Sequence, residues 1–129
     1  MTKKFLLAFI ALSLFISSSA NAEWERLSKT DAGDTYYVDF ENIRIEGKII
    51  KYWTFTEYSE PLEGYLSHKT YQKLNCDDYS FMPLRFIFHI DKKGLSRGET
   101  QESVIDYWIP TPRNAVAYEA AVILCRKIK

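Results

Sequence analysis

The stretch from Thr111 to Cys125, "TPRNAVAYEAAVILC", decides how the rest of the chain has to fold. Its alanines favour a helix, and we predict that Thr111 caps this helix and that Pro112 lies in its first turn, where no amide donor is needed. An apolar stripe follows the helical repeat and consists of Val116, Ala120, Ile123 and Leu124. This stripe must be buried against another apolar surface, and the only large one that the sequence offers is a β-sheet.

The sequence before the helix is typical of β-strands joined by turns. Residues 48–58, "KIIKYWTFTEY", are rich in β-branched and aromatic side chains, and residues 65–75, "YLSHKTYQKLN", alternate weakly. We predict that Pro61 and Gly64 break the chain between these two strands. Residues 24–39 predict a hairpin, because the central "DAGD" favours a turn and the flanking aromatic and β-branched residues favour strands.

Residues 79–91, "YSFMPLRFIFHID", show the clearest alternation of apolar and polar side chains. We predict that one face of this strand belongs to the core, namely Met82, Leu84, Phe86, Phe88 and Ile90. His89 falls on the opposite face and is predicted to be solvated. Residues 91–103 predict a mobile polar loop, and residues 104–108, "VIDYW", predict a short strand that closes the sheet.

These elements predict an α+β fold. We expect a single antiparallel sheet of five or six strands, with one C-terminal helix packed on one of its faces.

Residues 1–22 have the organisation of a secretory signal peptide. Two lysines precede an apolar run, and Ala20-Asn21-Ala22 supplies a cleavage pattern, so we predict cleavage after Ala22. The apolar run is about a dozen residues, whereas a membrane-spanning helix needs roughly twenty, which disfavours the alternative of an uncleaved anchor. No cysteine stands near residue 20, so we do not expect lipid attachment there. The mature chain is then residues 23–129, one domain of 107 residues (129 minus 22).

The chain has two cysteines, Cys76 and Cys125. In an exported protein, two thiols are expected to pair, and we predict a disulfide between them. Two alternatives stay open but are less favoured. A metal site would need three or four ligands, and the rest of the chain offers only two histidines. A redox pair usually has C-x-x-C spacing.

The charge balance of the mature chain does not point to nucleic acid as a partner. The signal peptide carries two of the 17 basic residues and none of the 17 acidic ones, which leaves a formal charge of −2 (15 minus 17). Such a chain lacks the excess of positive charge that would attract a polyanion.

Catalysis also has little support in the sequence. His68 and His89 lie in different predicted strands, no serine stands in a G-x-S-x-G pattern, and the cysteines are expected to be paired. We interpret His68 as a hydrogen-bonded structural histidine. The paired aspartates fit turns rather than a calcium-binding loop, so we expect no bound metal. We also expect no enzyme activity and no cofactor.

The aromatic content predicts a surface that contacts a partner. Nine tyrosines, three tryptophans and five phenylalanines follow the signal peptide. On one strand, two tyrosines and two lysines share a parity, and a second basic group lies in the predicted loop. The predicted partner-binding surface therefore consists of Tyr65, Lys69, Tyr71, Lys73, Lys92, Lys93 and Arg97. The alternative is an ordinary solvent face with cross-strand aromatic and charge pairs.

Several stretches together resemble the surface-adhesin protein E family of Gram-negative bacteria. They are Trp24, "TYYVDFENI" (35–43), "KYWTFTEY" (51–58), "YLSHKTYQKLNC" (65–76), "YWIPTP" (107–112) and the final "LC" (124–125). The resemblance implies an antiparallel sheet tied to a C-terminal helix by a disulfide. It also implies a function in which a surface-exposed protein attaches bacteria to host matrix glycoproteins such as vitronectin and laminin.

The sequence and the resemblance together predict an exported, non-enzymatic binding protein of the bacterial cell envelope. We expect it in the periplasm or at the cell surface, with a protein or glycoprotein partner. Two alternatives are a periplasmic carrier of a small ligand such as haem, and an envelope protein with a structural role. Exposed edge strands would also allow a dimer.

Overall fold

The computed structural model of the chain describes residues 22–128, and this part of the chain contains seven strands and one α-helix. The strands are β1 (Trp24–Arg26), β2 (Thr35–Asp39), β3 (Arg44–Glu46), β4 (Ile49–Leu62), β5 (Tyr65–Asn75), β6 (Phe81–His89) and β7 (Glu99–Glu102). The helix α1 spans Val116–Cys125, and one turn of 3-10 helix, Arg126–Ile128, follows it. The predicted signal peptide lies almost entirely outside the described residues.

All seven strands form one antiparallel sheet. The order is β1-β2-β4-β5-β6-β7, and β3 pairs with the beginning of β4. The long strands β4 and β5 stand in the middle, so each of them is hydrogen-bonded on both sides. The predicted α+β arrangement is confirmed, with a short strand β3 added to the sheet.

The hydrophobic core lies between α1 and one face of the sheet. Alternate residues of a strand point to opposite faces, and the buried alternate positions Ile50 and Tyr52 in β4 and Leu74 in β5 point toward the helix. Ala120 and Leu124 of α1 meet them. The stripe that the sequence predicts on the helix is therefore the surface that packs on the sheet.

A disulfide joins Cys76, directly after β5, to Cys125, the last residue of α1. The Cα atoms are 5.6 Å apart, and the bridge closes a loop of 49 residues. The predicted pairing is confirmed, and the chain has no free cysteine.

The helix begins four residues later than the sequence predicts. Ala115 precedes its first turn and makes no side-chain capping hydrogen bond. The predicted cap, Thr111, instead donates from its hydroxyl to the carbonyl oxygen of Tyr79, 2.5 Å away. Because Thr111 is held by the segment after β5, the residues between it and Val116 form a turn.

The predicted core face of β6 is wrong, and a β-bulge explains why. Tyr71 of β5 pairs with Arg85, but the next residue, Gln72, pairs with Pro83, so Leu84 is an extra residue. Met82 and Phe86 therefore lie on opposite faces of the sheet although they have the same parity in the sequence. These apolar residues of β6 are half-buried, and Ile90, just beyond the strand, is 70% exposed.

Two predicted strand boundaries are also wrong. Strand β4 continues through Pro61 to Leu62, past the point where β2 stops pairing with it and where the register shifts, and proline is tolerated at such an irregular position. The strand that closes the sheet is β7, within the segment predicted as a loop, rather than residues 104–108. Its sequence, "ETQE", is exposed throughout and has no apolar alternation to reveal it.

Within residues 22–128, no helix is long and apolar enough to cross a membrane.

Candidate functional site

The face of the sheet opposite α1 presents aromatic and basic side chains. The register places Trp53 beside Tyr71, Phe55 beside Lys69, and Lys51 beside Lys73, and such paired residues point to the same side of a sheet. These positions alternate with the core positions of β4 and β5, so they point away from the helix. We call this surface the open face, and it consists of Trp24, Tyr37, Lys51, Trp53, Phe55, Lys69, Tyr71, Lys73 and Ile87. Of these side chains, Phe55 is buried beneath its neighbours.

Aromatic rings are in contact across the open face. The ring centroids of Trp53 and Tyr71 are 5.0 Å apart, and Phe55 lies 5.5 Å from both Trp24 and Tyr37. A groove of about 430 Å³ runs beside these rings and is lined by Ala22, Trp24, Asp39, Asn42, Trp53, Lys69 and Ile87. Rigid, amphipathic rings beside a groove are typical of surfaces that bind macromolecules.

Asp39 fixes the chain at the end of β2, next to this groove. Its side chain is buried, and one carboxylate oxygen accepts hydrogen bonds from the backbone amides of Glu41 and Asn42, at 3.1 and 3.0 Å. The other oxygen accepts from the side-chain amide of Asn42, at 2.9 Å. Because these donors satisfy the carboxylate, its role at the groove is to hold the turn in place.

The segment from Asp91 to Gly98, the 91–98 loop, packs onto the open face instead of projecting from it. Lys69 Nζ donates to the carbonyl oxygen of Gly94 at 2.9 Å, and Ser67 Oγ donates to that of Asp91 at 2.6 Å. The Asp91 carboxylate accepts from the backbone amides of Leu95 and Ser96. The segment predicted as mobile is thus tied to β5 by hydrogen bonds.

Two glycines allow this close approach. Gly94 and Gly98 have φ angles of +66° and +76°, a region that residues with a side chain adopt at a cost. A Cβ atom at Gly94 would lie 2.8 Å from Cε1 of Phe55, and one at Gly98 would lie 2.5 Å from Cγ2 of Ile87. Both positions therefore need glycine for the loop to lie on the sheet.

The structure divides the predicted partner-binding surface into separate groups. Tyr71 and Lys73 lie on the open face with Lys69, and the Nζ atom of Lys73 stands 5.4 Å from the ring centroid of Trp108. Lys69 is half-buried by the 91–98 loop, and this burial lowers the pKa of its ammonium group. The negative charge of Asp91 partly offsets the shift.

The remaining predicted residues lie elsewhere. Tyr65 packs against Phe88, with ring centroids 5.3 Å apart, and does not join Tyr71. Lys92, Lys93 and Arg97 are exposed on the 91–98 loop, and Lys93 forms an ion pair of 3.5 Å with Glu57.

Sequence reasoning did not include Trp24, Trp53 and Trp108 in the surface. The only available signal was that Trp53 and Phe55 share a parity, and the cross-strand register was needed to place them beside Tyr71 and Lys69. The structure describes no group of His, Cys, Asp and Glu residues between 22 and 128 that could hold a metal ion.

Both histidines are held inside the fold. His89 is only 1% exposed, so the prediction that it is solvated is wrong: the 91–98 loop covers it, and its Nδ1 donates to the carbonyl oxygen of Ser96 at 3.0 Å. Burial is the main reason why the pKa of His89 is lowered, and the positive charge of Lys69 lowers it further. His68 Nδ1 forms a 2.7 Å hydrogen bond with the hydroxyl of Tyr58, as expected of a structural histidine. Burial lowers the pKa of His68 to about 4, although the negative charge of nearby Asp34 partly opposes this shift.

We expect the protein to lose stability as the pH falls from about 6.5 to about 4. Both histidines are neutral in the folded and unfolded states above pH 6.5, so their contribution is complete there. Below pH 6.5 the unfolded chain binds protons that the folded chain does not, until His68 is protonated near pH 4. The loss from His68 alone should be about 2 to 3 kcal/mol. Urea unfolding at a series of pH values measures it.

The control is His68→Gln, which keeps a polar partner for Tyr58 but does not titrate. Its stability should fall less between pH 6.5 and 4, and an identical fall would show that His68 is not the cause. The carboxylate of Asp91 loses its proton at a pKa of about 2, lowered by its hydrogen bonds with Ser96 and Leu95, so its effect belongs to a lower pH range.

Comparison with known proteins identifies a single family over most of the chain. The model of the family described as surface-adhesin protein E matches residues 24–126. One crystal form of Haemophilus influenzae protein E has a TM-score of 0.60 and 22% identity, with 86% of this chain and 93% of that chain covered. Another structure of Haemophilus influenzae protein E has a TM-score of 0.59 and 21% identity, and the match covers 86% of this chain and 89% of that chain. These structures share the fold of this chain. Among curated proteins, no sequence matches this one significantly.

Proposed function

Because the chain belongs to the surface-adhesin protein E family, we propose that it is an exported, non-enzymatic protein that binds a macromolecular partner through the open face. The partner class that we propose is a matrix glycoprotein such as vitronectin or laminin. The proposed location is the bacterial cell envelope, with the mature chain beginning at residue 23.

One observation carries this proposal: the sheet face opposite the helix presents aromatic rings and lysines beside a groove. Trp53 and Tyr71 pair across strands, and Lys73 lies over Trp108. Tryptophan and tyrosine are among the side chains that dominate the binding energy of many protein interfaces. A rigid sheet also presents them in a fixed arrangement, so little conformational freedom is lost on binding.

The alternative of a haem carrier has less support from the geometry. A carrier that holds the iron through a histidine would need that imidazole to be exposed and free to bind. The ring of His89 is buried, and His68 is hydrogen-bonded to Tyr58. An absorbance titration with haem, repeated with His68→Ala, distinguishes the alternative, because a carrier that uses this histidine would give a change that the variant abolishes.

We expect Trp53→Ala to weaken partner binding by about fivefold or more, because truncating a central aromatic residue typically costs over 1 kcal/mol. Lys73→Glu should also weaken binding by reversing a charge on the same face. Residues 23–129 would be offered to immobilised vitronectin and laminin, and to the cell's own envelope proteins, with binding measured by surface plasmon resonance.

Arg113→Glu is the matched control for the charge reversal, since Arg113 is exposed in the turn before the helix. It should bind like the unaltered protein. Equal losses for Lys73→Glu and Arg113→Glu would mean that the open face is not the interface. Failure of the folded protein to bind any of these partners at micromolar concentration would refute the proposal. Treatment of intact cells with protease tests the location, because a surface adhesin must be degraded.

A further inference from the structure

A second concave surface lies on the helix side of the sheet, at the end away from α1. The register aligns Thr56 of β4 with His68 of β5 and Phe88 of β6, and these share a face with the core residue Leu74. The helix packs where β4 begins and β5 ends, so this other end is not beneath it. The pocket there, of about 340 Å³, we call the end pocket, and its walls include Tyr58, Leu62, Glu63, Tyr65, Phe88 and Glu99.

The aromatic wall of the end pocket consists of Tyr58, Tyr65 and Phe88, and the ring of His68 contacts two of them. The ring centroid of Phe88 lies 5.3 Å from that of Tyr65 and 6.0 Å from that of His68, which in turn lies 5.4 Å from Tyr58. The faces of aromatic rings carry partial negative charge and attract cations. The wall therefore favours a ligand that is flat, or positively charged, or both.

Two carboxylates add full negative charge to this wall. Glu99 lies opposite Phe88 across β6 and β7 and accepts a hydrogen bond from the hydroxyl of Tyr65. That hydrogen bond is the main cause of a raised pKa of Tyr65, to which the charges of Glu99 and Glu63 add. The four ion pairs found between residues 22 and 128 include neither Glu63 nor Glu99. Arg97 lines the adjoining hollow without joining either of them.

The position of Glu63 in its turn is unusual. Glu63 and Gly64 connect β4 to β5 with φ angles of +51° and +86°. Such two-residue turns strongly prefer glycine, asparagine or aspartate at the first position, because a Cβ atom is strained there and only short polar side chains offset the strain with a local hydrogen bond. The turn therefore holds a carboxylate at the pocket rim at the expense of its own stability.

We propose that the end pocket binds an arginine side chain of a protein partner. A guanidinium group is planar, stacks on aromatic rings and donates two parallel hydrogen bonds to a carboxylate. An apolar ligand would desolvate two carboxylates without supplying a positive charge to either of them. His68, with its pKa of about 4, adds no positive charge to the wall at neutral pH. This site is separate from the open face and does not depend on the function proposed for that surface.

The test uses a tripeptide, acetyl-Gly-Arg-Gly-amide, titrated into the ¹⁵N-labelled mature protein. We expect amide chemical-shift changes at Tyr65, Phe88 and Glu99, and no such changes with the same peptide carrying citrulline, the neutral isostere of arginine. The lysine peptide should bind several-fold more weakly. Equal shifts with citrulline, or equal affinity for lysine, would overturn the assignment.

Glu99→Gln should weaken binding of the arginine peptide about tenfold, because the substitution removes the negative charge. The glutamine side chain can still accept the hydrogen bond from Tyr65, so that contact is kept. Glu102→Gln is the matched control: Glu102 lies in the same strand but pairs with Arg85 on the opposite face. Unchanged affinity for Glu99→Gln, or an equal loss for Glu102→Gln, would refute the proposal. Loss of open-face binding in Trp53→Ala has no bearing on this result.

Discussion

Cys125→Ala should lower the free energy of unfolding by about 4 kcal/mol under oxidising conditions. The bridge to Cys76 closes a loop of 49 residues, and restricting a loop of this length in the unfolded chain contributes about that much in the entropic description. A domain of this size is stable by about 5 to 10 kcal/mol in all. The variant should therefore unfold at a much lower urea concentration, followed by circular dichroism.

The double variant with Cys76→Ala and Cys125→Ala separates the bridge from the unpaired thiol. Its free energy of unfolding should be close to that of the single variant. The unaltered protein in the presence of reductant should approach the same value. A transition midpoint that does not move when the bridge is removed would contradict the assignment of the disulfide as a main source of stability.

Leu124→Ala should lower the free energy of unfolding by about 3 to 5 kcal/mol. Leu124 is completely buried where α1 meets the sheet, and truncating such a side chain removes both its apolar contacts and the packing of its neighbours. Urea unfolding at neutral pH with the bridge intact measures this loss separately from that of the disulfide.

Glu119→Ala is the control in the same helix, because Glu119 is exposed. It should change stability by about 0.5 kcal/mol or less. If both variants lost a similar free energy of unfolding, the effect of Leu124→Ala would come from the helix itself and not from its contact with the sheet.

The helix, its buried stripe and the disulfide could be predicted because each depends on local periodicity or on simple pairing logic. The apolar positions around Leu124 follow the helical repeat, and two cysteines in one chain have only one way to pair within it. The start of the helix was less accessible to sequence reasoning. The hydroxyl of Thr111 bonds to Tyr79, a contact between distant parts of the chain.

The faces of β6 could not be predicted because a single inserted residue changes them. The extra residue Leu84 puts Met82 and Phe86 on different sides, and alternation in a sequence cannot show where a bulge lies. The burial of His89 was missed for a related reason. It depends on the 91–98 loop folding back over the sheet, which the polar sequence of that loop does not suggest.

The candidate site was predicted in part. Lys69, Tyr71 and Lys73 share a face because β5 is regular through these positions. Tyr65 was grouped with them by parity, but it lies beside the irregular end of β4 and contacts Phe88 instead. The tryptophans of the open face come from other strands, so their place next to Tyr71 depends on the register between strands.

The position of the disulfide also decides how the molecule carries mechanical load. A force on the chain beyond Cys125 passes through a covalent bond to Cys76 and so into β5, which is hydrogen-bonded to β4 and β6 along its length. A force on the other end meets β1, an edge strand of three residues paired only with β2. We therefore expect a domain under tension between its two ends to yield first at its N-terminal edge strand.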